Sequence, residues 1–162
     1  KNFTYLIDEF NNFVKNNHTH NLLIFGEGEE KERLSTKIIK HNLENRIFLM
    51  GYSNEIYKYM KKADAFILSS LWEDPGFVLV EAAMCNLFII SSNCKNGPSE
   101  FLLNGKAGIL YESNKKNSLK DAINEFLKIE NKKDILLNAK KNCIQYSLLR
   151  HNKIFKNILT TF

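Results

Sequence analysis

The chain has 162 residues, 44% of them hydrophobic and 12% aromatic, with a formal net charge of +5. That is enough apolar material for one sizeable core, while no run of about eighteen apolar residues offers a bilayer span and the start carries no secretory signal pattern. The lysines are spread along Lys- and Asn-rich stretches without a nucleic-acid motif, which describes a solvated surface with some preference for anionic partners such as phosphate.

The first segment places Phe3, Leu6, Ile7, Phe10, Phe13 and Val14 at helical spacing. A short apolar run at 21–25 reads as a buried strand, and the turn Gly26-Glu27-Gly28 leads into an amphipathic helix. Residues 46–50 read as a second strand, and 54–63 as a helix with Ile56, Tyr59 and Met60 on one face. A strand at 65–70 is followed by a helix at 76–85, a strand at 87–92, a short helix from Gly97-Pro98-Ser99-Glu100 and a last strand at 108–111. From about residue 115 the pattern is helical, with Leu119, Ala122, Ile123, Phe126 and Leu127 as one stripe and Ile154, Phe155, Ile158 and Leu159 as another.

Short, continuously apolar strands alternating with helices predict an α/β fold: a Rossmann-like, doubly wound parallel sheet with helices on both faces. No internal repeat or linker divides residues 1–162, so a single domain is expected. The chain opens on Lys1 rather than Met and runs almost directly into a helix, as a fragment of a longer protein would. Cys85, Cys94 and Cys143 stand at no metal-ligand spacing and read as reduced thiols of a cytoplasmic protein. The four histidines are scattered through polar stretches and receive no role. Ligands of open parallel sheets bind beyond the carboxyl ends of the strands, which directs attention to the loops near 26–28, 51–54, 69–76 and 92–98.

One residue there is out of keeping with its neighbours. Between Asp74 and Lys95, Glu81 is the only charge, in the middle of an apolar helical segment. A carboxylate in such a place is costly without partners. It pairs with a lysine from elsewhere, faces water at the helix edge, or accepts hydrogen bonds from ligand hydroxyls, and spacing leaves all three open. Asp74-Pro75-Gly76 makes a good helix start: Asp can cap, Pro suits the first turn, and Gly admits another group to the backbone. The free N–H groups of Gly76, Phe77 and Val78 would then offer a site for an anion.

These stretches, "SSLWEDPGFVLVEAAMCN" followed by "IISSNCKNGPSEFLLNGKAGILY", resemble the nucleotide-sugar domain of retaining glycosyltransferases with the GT-B fold, in the large family numbered four. That family carries Glu-x7-Glu, here Glu73 and Glu81. "NLLIFGEGEEKERL", "RIFLMGY" and "ADAFILSS" also follow its order, and the likeness covers roughly residues 1–128. The family often reads Glu-Gly-Phe-Gly or Glu-Gly-Phe-Pro where this chain has Glu-Asp-Pro-Gly, so the turn differs in detail. The nearest relatives implied are bacterial enzymes of capsule, O-antigen, lipopolysaccharide or other lipid-linked glycan assembly.

The resemblance implies that the chain is the donor-binding, C-terminal half of a transferase that moves a hexose or N-acetylhexosamine from a nucleotide diphosphate sugar to a glycan or lipid-linked acceptor. A UDP-sugar is favoured over a GDP-sugar. It implies no essential metal and no cofactor. Glu73 is the catalytic candidate, near the donor sugar or its phosphate. Glu81 holds the ribose hydroxyls, and the backbone of Gly76, Phe77 and Val78 faces the sugar and diphosphate. Lys1 matches a diphosphate-clamping lysine, Gly26 lies near the diphosphate, Gly51 and Tyr52 near the base, and Gly97 and Pro98 belong to the Gly-Pro-x-Glu of a subset of these enzymes. The acceptor domain and the first strand of this domain would precede the chain, which alone would bind nucleotide without transferring sugar. The full-length protein would be cytoplasmic, with peripheral attachment at the inner face of the membrane compatible with a lipid-linked acceptor. Two rival readings remain: another enzyme of the same fold, such as a sugar epimerase, and a non-catalytic, partner-binding doubly wound module in which Glu81 is merely paired.

Overall fold

The computed structural model describes residues 1–17, 19–74, 76–147 and 150. Helix α1 (Phe3–Val14) is followed by β1 (Leu22–Phe25), α2 (Lys31–Lys40), β2 (Ile47–Gly51), α3 (Ile56–Met60), β3 (Ala65–Leu68), α4 (Phe77–Met84), β4 (Phe88–Ser92), α5 (Pro98–Phe101), β5 (Ile109–Tyr111), α6 (Ser118–Lys128) and α7 (Lys133–Asn142). Short 3-10 turns stand at Leu103–Gly105 and Cys143–Tyr146. Elements and order match the sequence reading. The stripe expected at Ile154, Phe155, Ile158 and Leu159 lies outside the described residues.

All strand pairings are parallel, but the sheet is in two pieces. One is the pair β1–β2. The other has the order β3–β4–β5. β4 is buried at every residue, with Phe88 and Ile90 in one apolar cluster and Ile89 in the other. A strand covered on both faces has no use for alternation, hence its continuous apolar run. α1, α2 and α6 contribute to the first cluster; α3, α4 and α7 contribute to the second. At Gly108 a Cβ would lie 2.6 Å from the Ile89 carbonyl oxygen, so the close approach before β5 admits only glycine.

Helix ends are set by asparagines. After α2, the Asn42 N–H donates to the Ile39 carbonyl (2.9 Å) and the Leu43 N–H to that of Ile38 (3.1 Å). After α4, the Asn86 N–H donates to Ala83 (3.0 Å) and the Leu87 N–H to Ala82 (3.0 Å). Asn42 and Asn86 take φ of 55° and 59°, completing two Schellman stops that turn the chain into β2 and β4. At the other end of the chain, Glu9 is buried on α1 and accepts the backbone N–H groups of Asn117 (3.0 Å) and Lys120 (3.2 Å), capping α6 across the core.

Two expected faces need correction. Leu127 does not join the α6 stripe: it follows Phe126 by one residue, is rotated off the inner face and is exposed. Tyr59 keeps 39% of its surface exposed and packs its ring, tilted, on Phe25 at 4.9 Å between centroids, while Met60 is buried.

Candidate functional site

The carboxyl ends of β1 to β4 gather most of the candidate residues. β3 ends at Leu68 and continues into Ser69 and Ser70, both buried; β4 ends in Ser91 and Ser92, also buried. Such hydroxyls survive burial by finding acceptors. Ser92 Oγ donates to the Ser70 carbonyl (2.6 Å), Ser69 Oγ to the Lys1 carbonyl (2.7 Å), and the buried Tyr111 hydroxyl to the Leu68 carbonyl (3.0 Å). Burial raises the Tyr111 pKa far above that of a free phenol, so it remains a donor. The serine and tyrosine bonds pin the strand ends and fix where Ser70 points.

Ser70 Oγ donates to Glu73 Oε1, and Lys1 Nζ pairs with the same oxygen. Glu73 is 7% exposed, and its N–H reaches the Lys95 carbonyl at 3.4 Å beside a bridge between Trp72 and Lys95. The loop between β3 and α4 is thus clipped to the loop after β4. Gly76 (φ 81°, ψ 55°) caps α4, and a Cβ there would meet Glu73 Cβ and Cγ at 3.4 Å and Oε2 at 3.5 Å. Those are ordinary contact distances, so it is the left-handed backbone that calls for glycine here. The expected Asp74 cap is not made: α4 begins at Phe77 with Gly76 as its cap residue and no side-chain cap hydrogen bond, and Asp74 is exposed. Pro75 lies outside the described residues. The first N–H groups of α4 are left for another acceptor.

Glu81 is half-buried on α4, and among the described residues its carboxylate meets no hydrogen-bond donor and no cation. The lysine partner that a purely structural role would supply is absent there. Val78 and Glu81, with Lys1, Gly26 and Gly51, are among the residues that line a cavity of about 820 Å³. The Gly26 N–H donates to the Gly51 carbonyl (2.8 Å), and both glycines have positive φ (119° and 69°), so the ends of β1 and β2 form one small platform. Tyr52 beside it is 73% exposed and free to stack on a ligand. Phe77 is also exposed.

Gly97 and Pro98 differ from the others. They start α5, where Pro98 is buried at the first turn and the Phe101 N–H closes on the Gly97 carbonyl (2.8 Å). A ligand there would meet the Gly97 backbone, not the Pro98 ring. Ser70 is the site residue that sequence inspection missed. Its signal was the polar pair ending each of two otherwise apolar strands. Among the described residues no three His, Cys, Asp or Glu side chains stand together as a metal would require, and no helix is long and apolar enough to cross a membrane.

The profile of the family described as "Glycosyl transferases group 1" matches residues 1–147. An N-acetylgalactosamine-N,N'-diacetylbacillosaminyl-diphospho-undecaprenol 4-alpha-N-acetylgalactosaminyltransferase of Campylobacter jejuni is 35% identical over 98 residues, 60% of this chain and 27% of that protein. A UDP-Gal:alpha-D-GlcNAc-diphosphoundecaprenol alpha-1,3-galactosyltransferase of Escherichia coli is 32% identical over 146 residues, 88% of this chain and 36% of that protein. Among solved structures, a Staphylococcus aureus TarM variant in complex with Fondaparinux, alpha-GlcNAc-glycerol and UDP superimposes with a TM-score of 0.87 at 27% identity, covering 97% of this chain and 32% of that one. The chain therefore spans roughly a third of the length of these relatives. Its architecture is that of their GT-B transferase fold.

Proposed function

The chain belongs to the group 1 glycosyl transferases, and from that premise we propose that it is the donor-binding part of a retaining enzyme. The whole protein takes a hexose or N-acetylhexosamine from a nucleotide diphosphate sugar, UDP-linked in preference to GDP-linked, and passes it to a glycan or lipid-linked acceptor. The observation that carries this reading is the pair of carboxylates at the strand ends: Glu73 held by Lys1 and Ser70, and Glu81 half-buried with no partner among the described residues. A carboxylate without internal donors is poised to accept two, and a ribose diol supplies two at its spacing. A side chain merely neutralising a lysine would not look like this, which weighs against the non-catalytic module.

Lys1 offers three N–H donors, and one is used by Glu73. The other two meet no acceptor among the described residues and can take phosphate oxygens of the donor, where negative charge grows as the bond between sugar and diphosphate breaks and the leaving group takes the electron pair. The uncapped N–H groups of α4 face the same charge. The acceptor oxygen takes the place of the diphosphate on the sugar, and its proton passes to the departing diphosphate, which has taken the electron pair of the broken bond. Glu73 Oε2, over which Gly76 leaves space, is the carboxylate oxygen still free to meet the donor sugar. The substrates for which the relatives are named, UDP-Gal and undecaprenyl diphosphate-linked sugars, support the donor and acceptor classes.

The test is calorimetric titration of the full-length protein with UDP, GDP and ADP, beside its Glu81→Ala variant. Binding of UDP, weakened in a folded variant, is expected. Equal binding of all three, or of none, would refute the donor-site assignment.

A further inference from the structure

The lysine of the donor site is placed by bonds that no helix or strand supplies. Lys1 precedes α1, whose ladder starts at the Asn2 carbonyl with the Leu6 N–H (3.2 Å), so the Lys1 carbonyl lies outside it. The Lys1 side chain is 53% exposed. An ammonium on so long and freely rotating a stem has a fixed place only if the main chain beneath it is held.

Contacts from different parts of the fold hold it. Ser69 Oγ, one residue past the end of β3, donates to the Lys1 carbonyl (2.7 Å). Asn2, at a left-handed φ of 58°, turns the chain into α1, and its side-chain amide donates to Asn114 Oδ1 (2.9 Å) in the loop after β5. Lys1 Nζ pairs with Glu73 Oε1, which also takes the Ser70 hydroxyl. The consecutive serines therefore close a ring: Ser69 holds the Lys1 main chain, the Lys1 ammonium meets Glu73, and Glu73 is held by Ser70. The Asn2 contact is exposed to solvent, whereas Ser69 is 3% exposed. A hydroxyl buried that far needs an acceptor, and the one it has belongs to the residue that carries the ammonium. A strand end that had only to fill space would be served by alanine, without that demand.

We infer that Ser69 is a positioning residue for the diphosphate of the donor: by fixing the Lys1 main chain against the end of β3, it sets where the Lys1 ammonium stands between Glu73 and the phosphate oxygens. This rests on the donor-site reading and adds to it. The Ser69 hydroxyl is committed to the Lys1 carbonyl, so it acts on the diphosphate through the lysine rather than by contact. Without that bond the ammonium samples a wider arc. Each placement away from the phosphates weakens both the binding of the diphosphate and the stabilisation of the leaving group. The nucleoside, held by other residues, is unaffected.

The test is a double-mutant cycle in the full-length protein. UDP and uridine are titrated calorimetrically against the wild type, Ser69→Ala, Lys1→Ala and the double variant. Loss of one neutral hydrogen bond should weaken UDP by roughly three- to tenfold in Ser69→Ala, while uridine, which carries no phosphate, binds as before. In the Lys1→Ala background the same substitution should change UDP affinity by less than about twofold, because the charge it places has gone. Ser69→Thr, which keeps the hydroxyl, should regain most of what Ser69→Ala loses. An equal UDP loss with and without Lys1, a matching loss of uridine, or UDP bound by folded Ser69→Ala as by the wild type overturns the inference. Should Ser69→Ala not fold, Ser69→Cys, close in volume and a much weaker donor, takes its place in the cycle. If the wild type itself binds no UDP, the donor-site reading falls and this one with it; UDP binding that is intact but uncoupled from Lys1 overturns the role of Ser69 alone.

Discussion

Replacing Glu81 with Gln separates a structural from a functional carboxylate, because the two roles predict opposite signs for stability. Glu81 is half-buried and meets no donor or cation among the described residues. Neither of its oxygens is among the buried side-chain atoms left without a partner, so in the ligand-free protein the carboxylate is served by water and no internal contact depends on its charge. Glu81→Gln should therefore leave the urea midpoint unchanged or raise it, with an unaltered slope. The effect on nucleotide runs the other way. A hydrogen bond to a charged acceptor is worth about 1.5–3 kcal/mol, and the amide keeps one acceptor oxygen but loses the charge. At about 1.4 kcal/mol per tenfold, affinity for UDP should fall by roughly 10- to 150-fold. Calorimetry gives the affinity and urea denaturation the stability on the same preparation of the full-length protein. A lowered midpoint would mean that Glu81 is paired within the protein. An unchanged dissociation constant would mean that it does not touch the nucleotide. Either result refutes the role given to it.

Further outcomes follow from the same geometry. Ser70→Ala removes a hydroxyl donor from the buried Glu73, and a loss of about 1.5–3 kcal/mol in denaturant stability is expected, with kcat reduced more than KM in the full-length enzyme; Ser70→Thr, which keeps the donor, should recover part of both. Gly76→Ala adds a Cβ that only touches Glu73 at an ordinary 3.4 Å but must hold φ at 81°, and about 1 kcal/mol or more of destabilisation should appear together with lost turnover as the turn over the carboxylate shifts. Asn86→Gly should be neutral or slightly stabilising while Asn86→Ala costs about 1 kcal/mol, since the residue stands at φ 59° in a helix stop. Burial lifts the Tyr5 phenol to about 12, with nearby Glu9 adding to the rise. The unfolded chain loses this proton near 10 while the folded one retains it, so the contribution of Tyr5 is fully present below pH 10 and is lost as pH climbs from about 10 to 12. The fall in thermal midpoint over that window should be shallower in Tyr5→Phe.

The alternation of strands and helices was legible because strands covered on both faces need unbroken apolar runs, and those runs end where Asn, Gly or a polar pair intervenes. β4 is the clearest case: Phe88 to Ile90 serve both clusters at once. The apolar runs of β1 and β3 do not show that these strands fall in different pieces of the sheet, because the runs record burial and not pairing. The helix stops were missed although Asn42-Leu43 and Asn86-Leu87 repeat one pattern. Asparagine reads as generic polarity until its left-handed φ is known. Glu9 was a fair signal left unused: a lone charge among Leu6, Phe10 and Phe13 on the inner face of α1 calls for internal donors, and two N–H groups of the α6 terminus provide them. Glu81 drew attention by the same logic, and the sequence could not distinguish the two situations because the donors of Glu9 lie more than a hundred residues away.

Glu73 and Glu81 stand eight positions apart, and the chain treats them oppositely. Glu73 receives a hydroxyl, an ammonium and a fixed backbone, and so is a charge whose position is set before any ligand arrives. Such preorganisation suits a group that must act on charge developing during reaction, because no reorganisation is then needed at that moment. Glu81 receives no donor from the described residues, and acceptors met only by water are open to a ligand's hydroxyls, which suits recognition of a ligand rather than chemistry on it. The difference also predicts how damage will propagate. Loosening Ser70, Gly76 or Lys1 should reach turnover through Glu73, whereas changes at Glu81 should be confined to affinity.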